Sequence, residues 1–173
     1  MLLMEYAITL PEGVTGAYDL PELAIKGEKG EVKRNFPQLE IKLENSTLTM
    51  KIKGDKRKQK KVLNTCVSHA RNMVKGVQEP FVYKLKICAS HFPMQVALQG
   101  QTLQVKNFVG EKHPREMNVP EGVKIEIKDT DITVESPSKE LAGRVAGRIE
   151  LLTRLTGKDR RIFQDGIYIT EKA

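Results

Sequence analysis

The 173-residue sequence has no tryptophan, only two cysteines, no low-complexity segment and no long apolar run. Two cysteines cannot build a disulfide framework. With Met1-Leu2-Leu3-Met4 too short and lacking the basic start of a secretory signal, they point to a reducing, cytoplasmic setting. No window approaches the roughly 20 apolar residues that a spanning helix needs, so no membrane partner is expected. Also missing are a Walker phosphate loop, a Gly-x-Ser-x-Gly elbow and a His-Glu-x-x-His helix. The carboxylates are scattered among lysines with no pair set apart by spacing. The chain is therefore expected not to be an enzyme and to hold no cofactor.

What the sequence does contain is one plan written twice. Leu23-Ala24-Ile25-Lys26 returns as Leu103-Gln104-Val105-Lys106. The alternating Leu39, Ile41, Leu43, Leu48, Met50 returns as Val123, Ile125, Ile127, Ile132, Val134. A helical stripe at Val62, Leu63, Cys66, Val67, Ala70, Met73 returns as Leu141, Ala142, Val145, Ala146, Ile149, Leu152. Repetition on this scale governs the fold. It predicts an α+β protein of two tandem, internally duplicated small domains, each an antiparallel sheet covered by one main helix. The boundary falls near Gly76–Pro80, giving domains at 1–80 and 81–173.

In the first copy, a strand at Tyr6–Leu10 stops at Pro11-Glu12-Gly13. A hairpin turns through Gly27-Glu28-Lys29-Gly30, and a second through Glu44-Asn45-Ser46. The spacing then predicts a helix from about Lys58 to Lys75, closed by Gly76 and stopped by Pro80. In the second copy, strands are predicted at Phe81–Ile87, Phe92–Leu98, Leu103–Phe108, Val123–Ile127, Ile132–Val134 and Ile167–Ile169. Ser136-Pro137 reads as the cap and first residue of a helix running to about Leu155, with Gly157 ending it.

Twenty-nine lysines and arginines against 22 acidic residues give a net charge of +7, which suits a polyanion partner if the charge is clustered. It is clustered where the copies differ. Met50 to Val62 is 12 steps, against seven from Val134 to Leu141, and the longer connection holds Lys56, Arg57, Lys58, Lys60 and Lys61. Cations at a helix N-terminus oppose the helix dipole, so an external anion accounts for them better than local stability does. The second copy adds residues around Asn107–Arg115, a loop whose Lys112, His113 and Arg115 suit phosphate and sugar or base contact. Phe108 within it reads more readily as packed beneath the loop. Lys158, Arg160 and Arg161 form a third basic site. Two Cys-x-x-His pairs, Cys66/His69 and Cys88/His91, raise zinc as a rival. Cys66, however, lies on the apolar stripe of its helix, and neither pair has a glycine knuckle, so no metal is expected.

Several stretches carry a resemblance: Leu10–Val14, Ser68-His69-Ala70-Arg71-Asn72-Met73-Val74-Lys75-Gly76-Val77, Ser90-His91-Phe92-Pro93, Lys106–Lys112 with Arg115, and Asp165-Gly166-Ile167-Tyr168-Ile169. Together, in order and over nearly the whole chain, they resemble the large-subunit ribosomal protein six family in its archaeal and eukaryotic form. The sequence departs from that pattern at Glu28, where relatives usually have proline, and in lacking tryptophan on the approach to the first helix. The resemblance implies a structural protein bound to large-subunit ribosomal RNA near the stalk base and the sarcin–ricin loop, where elongation factors dock. It would sit there as a monomer among neighbouring ribosomal proteins. It also implies RNA contact mainly through the second domain, at Lys106, Asn107, Lys112, His113 and Arg115, and more loosely at Lys158, Arg160 and Arg161. The rival readings are an RNA- or DNA-binding regulator outside the ribosome and a zinc-stapled interaction module.

Overall fold

The computed structural model describes residues 3–36, 39–44, 46–54, 57–159 and 161–173. The chain divides into two compact units, Met1–Pro80 and Phe81–Ala173. The first holds β1 (Leu3–Thr9), β2 (Thr15–Asp19), β3 (Glu22–Gly27), β4 (Gly30–Asn35), β5 (Glu40–Glu44), β6 (Thr47–Lys53) and α1 (Arg57–Gln78). The second holds β7 (Phe81–Cys88), β8 (Gln95–Gln99), β9 (Thr102–Lys106), β10 (Arg115–Asn118), β11 (Lys124–Lys128), β12 (Asp131–Ser136), α2 (Lys139–Leu152) and β13 (Gly166–Glu171).

Each unit divides its antiparallel strands between two sheets. The first has β1-β6-β5 and β2-β3-β4; the second has β11-β12-β7-β13 and β10-β9-β8. The two arrangements correspond element by element, with β13 as an addition on the free side of β7. The repeated residues are the cores. Leu23, Ile25, Leu48 and Met50 are fully buried in one cluster, and Leu103, Val105, Ile132 and Val134 in the other. Strand periodicity puts these alternating side chains on one face, and the helix stripe (Leu63, Val67, Ala70; Ala142, Val145, Ala146, Ile149) covers them.

Helix ends depart from the sequence reading, each for a local reason. Gly76 does not close α1. The helix runs on to Gln78 because Val77, fully buried, packs against the β3–β4 turn. Lys29 N–H donates to the Val77 carbonyl at 3.1 Å, giving that helix-terminal oxygen a partner. The cap of α2 is Ser138, not Ser136: its Oγ accepts from Leu141 N–H. Ser136 is buried and its hydroxyl donates to the Gly122 carbonyl at 2.8 Å. At the other end α2 stops at Leu152 rather than Leu155, because buried Thr153 leaves helical geometry and its Oγ1 accepts Ile167 N–H at 2.8 Å. Aligned on Val62 and Leu141, α1 starts three residues earlier than α2 and runs five further, which gives 22 residues against 14.

The docking of α1 on its hairpin makes Gly27 sensitive. A Cβ there would lie 2.9 Å from both the Val77 carbonyl oxygen and Val77 Cγ2. Gly27→Ala is expected to cost about 1–3 kcal/mol, since the carbonyl belongs to a helix that cannot give way cheaply. Urea denaturation checks it, and an unchanged midpoint would mean that the hairpin and the helix end are not tightly packed.

Candidate nucleic-acid interface

Three segments distant in sequence, 89–94, 106–115 and 152–165, are tied together in the second unit. The tie between the first and third is Asp165, a carboxylate only 3% exposed. Its Oδ1 accepts the Ser90 N–H at 2.6 Å and the His91 N–H at 3.0 Å, and its Oδ2 lies 2.6 Å from His91 Nδ1. Burial pushes this carboxyl's pKa up, but the hydrogen bonds from His91 and Ser90 outweigh it and hold the group below its ordinary value. The His91 ring stacks on Phe163 with centroids 4.9 Å apart, and Lys158 Nζ lies 4.4 Å from the Phe163 centroid.

Arg115 ties the second segment to the third. Its Nε and Nη2 donate to the two Glu111 oxygens at 2.8 and 2.6 Å, and its Nη1 donates to the Leu152 carbonyl at 2.7 Å. A longer hydrogen bond of 3.3 Å reaches the Arg154 carbonyl, and the guanidinium lies over the Phe108 ring at 4.4 Å. Phe108 is buried beneath the loop, as the sequence suggested. The hydrogen bond from Arg115, partly opposed by burial and helped by its charge, holds the Glu111 carboxyl below its ordinary range. The loop backbone is bent tightly: Asn107, Val109 and Gly110 all have positive φ, which a β-branched valine rarely accepts.

The expected site residues divide by what their polar atoms already do. Lys106, Lys112, His113 and Lys158 are exposed. Asn107 is exposed, but its amide nitrogen donates to the Pro93 carbonyl at 3.0 Å, so it joins the first two segments as well as facing solvent. Arg115 is a strut whose donors are engaged within the unit. Arg161 is 90% exposed at its side chain and pairs with Asp159, Nη2 to Oδ2 at 2.8 Å. In the first unit Arg57, Lys58, Lys60 and Lys61 lie on the first turns of α1, which carry no acidic residue, and all but one of the first five positions there are exposed. Lys56 and Arg160 lie outside the described residues.

Every carboxylate in the three segments has an internal cationic or hydrogen-bonding partner: Glu111 has Arg115, Asp159 has Arg161, and Asp165 has His91. Among the described residues no ion pair occupies Lys106, Lys112 or Lys158. The segments therefore present uncompensated positive charge on a braced framework, which suits a phosphate backbone.

Sequence reasoning missed Asp165, Phe163 and Phe92 as parts of one site, and placed His91 as a metal candidate and within the resemblance but not in the interface. Its signal was the order Ser90-His91-Phe92-Pro93 and Asp165-Gly166, but nothing in sequence joins residues 74 apart. Among the described residues no group of three or more His, Cys, Asp or Glu gathers as a metal site. Burial pushes the Cys66 thiol up, with Arg34 only partly offsetting it, which disfavours the thiolate a metal would need. No described helix is long and apolar enough to cross a membrane.

The fold is that of a duplicated α+β protein, with one sheet-and-helix plan in each unit and braced loops with exposed lysines in the second. A model of the family described as ribosomal protein L6 matches residues 10–80 and again 92–166, one stretch in each unit. The chain is 43% identical over 181 aligned positions to the large ribosomal subunit protein uL6 of Nanoarchaeum equitans, covering 99% of this chain and 94% of that one. It is 41% identical to the protein of the same name from Methanococcus vannielii (99% and 95% covered) and 38% identical to that of Natronomonas pharaonis (97% and 96%). The chain belongs to the ribosomal protein L6 family. It is a structural ribosomal protein of archaeal type and not an enzyme.

Proposed function

We propose that this protein binds large-subunit ribosomal RNA chiefly through its second unit, at the stalk base and the sarcin–ricin loop beside the elongation-factor docking region. It acts there in the cytoplasm as a monomer among neighbouring large-subunit proteins. The RNA-binding part rests on one observation. Three segments braced against one another carry Lys106, Lys112 and Lys158 with no acidic partner among the described residues, while each nearby carboxylate is already satisfied. The location rests on the family resemblance. The cations on the first turns of α1 supply a second, smaller RNA-binding surface from the first unit.

Charge removal tests this directly. Replacing Lys106, Lys112 and Lys158 together by Ala should leave the melting temperature almost unchanged. It should flatten the salt dependence of rRNA binding by about 0.7–0.9 in slope for each phosphate left without its lysine. An unchanged affinity and slope would overturn the second-unit assignment. Crosslinks from Lys112 in intact large subunits, mapped to nucleotides, test the location, and a map away from the stalk base and sarcin–ricin loop removes it. Binding to naked RNA without cosedimentation with large subunits would favour a regulator outside the ribosome.

A further inference from the structure

We propose that His91 and Phe92 form a stacking platform for an unpaired base, so that the RNA bound by the second unit includes a flipped or single-stranded nucleotide. This rests on the RNA-binding reading above and adds what part of the RNA is read.

Phe92 is 45% exposed, and the side chain of its neighbour His91 is 35% exposed. A single exposed aromatic is ordinary on a protein surface. These two differ in how their backbone is held. The buried Asp165 carboxylate accepts the N–H groups of Ser90 and His91 and fixes the imidazole through Nδ1. Asn107 holds the Pro93 carbonyl, just beyond Phe92. Gly110 lies against the Phe92 ring, where even an added Cβ would sit 3.6 Å from it. The His91 ring already stacks on Phe163, whose own ring faces the Lys158 ammonium.

The His91 ring and the backbone that carries Phe92 are thus held before any partner arrives, which lowers the ordering cost of binding. The segments that touch these residues carry exposed lysines: Lys106 precedes Asn107, Lys112 follows Gly110 by two residues, and Lys158 faces the Phe163 ring on which His91 stacks. An apolar protein partner would have to leave those cations facing it unpaired, whereas a nucleotide supplies both a π face for the rings and phosphates for the lysines. The charge around the rings therefore disfavours an apolar protein surface, and RNA offers both the anions and the π faces that the site can use.

The test uses the full chain and protein-free large-subunit rRNA. Phe92→Leu keeps an apolar side chain of similar reach but removes the ring; Phe92→Tyr keeps the ring. Phe92→Leu is expected to weaken rRNA binding about tenfold with an unchanged salt slope, because no charge is removed, and Phe92→Tyr to bind like wild type. Both should melt like wild type, since the ring is half open to solvent. An affinity for Phe92→Leu within about twofold of wild type overturns the platform, as does a weakening that Phe92→Tyr shares. Normal rRNA binding with failed incorporation into reconstituted subunits also overturns it, by showing that a neighbouring protein covers Phe92. If the triple lysine variant flattens the slope while Phe92→Leu is silent, the RNA-binding reading stands and the platform falls. If both are silent, both fall.

Discussion

Asp165→Ala is expected to lower the stability of the second unit by about 3 kcal/mol, because it leaves the Ser90 and His91 N–H groups without an acceptor and releases the His91 ring. For a unit of this size that corresponds to a fall in melting temperature of about 4–8 °C per kcal/mol. Asp165→Asn should cost less, since an amide oxygen can still accept both N–H groups while its NH2 faces His91 Nδ1. The carboxyl's pKa is lowered in the folded chain despite burial. Its contribution is therefore fully present above the unfolded aspartate value of about 3.9 and is lost as pH falls through the lower folded value. The stability gap between wild type and Asp165→Ala should be widest near neutrality and should narrow below about pH 4. Thermal melts across that range check both points. A gap that stays constant down to about pH 2 would show that the ionised carboxylate is not what holds the turn.

The sequence carried the cores because a repeated apolar pattern is a statement about which face is buried, and that face is local in the chain. Leu23/Ile25 and Leu103/Val105 occupy matching central strands, and every one of the four is fully buried. Two strands escaped notice for the opposite reason. β2, Thr15–Asp19, buries no side chain completely, and β10 has only four residues, among them Arg115, Glu116 and Asn118. Their place is set by pairing with β3 and β9 rather than by their own alternation. β8 begins at Gln95 instead of Phe92 because Asp165 captures the Ser90–His91 turn and Asn107 takes the Pro93 carbonyl, which holds this stretch out of the ladder. The basic residues of the site were visible as charge runs, but not the sorting of free cations from engaged ones. Arg115 and Lys112 look alike in sequence, and only the positions of Glu111 and the end of α2 tell them apart.

That distinction sets the second large effect. Arg115→Ala is expected to destabilise the second unit by about 3 kcal/mol, because it removes hydrogen bonds to Glu111 and to the Leu152 carbonyl and uncovers Phe108. The Leu152 oxygen lies at the last residue of α2, where carbonyls lack intrahelical donors and a cation is favourable. Arg115→Lys separates a strut from a phosphate ligand. It keeps the charge but cannot reproduce the planar fork that reaches a carboxylate and a carbonyl at once. If Arg115 braces the loop, the lysine variant should melt nearly as low as the alanine variant, although its charge is intact. Lys112→Ala should show the reverse: an unchanged melt, and a salt slope for rRNA binding lower by about 0.7–0.9. A lysine variant that melts like wild type would return Arg115 to the set of free cations and remove the brace between the loop and α2. The crossed comparison of one charge-preserving and one charge-removing substitution, close together in the same loop, thus decides which part of it holds the fold and which part meets the RNA.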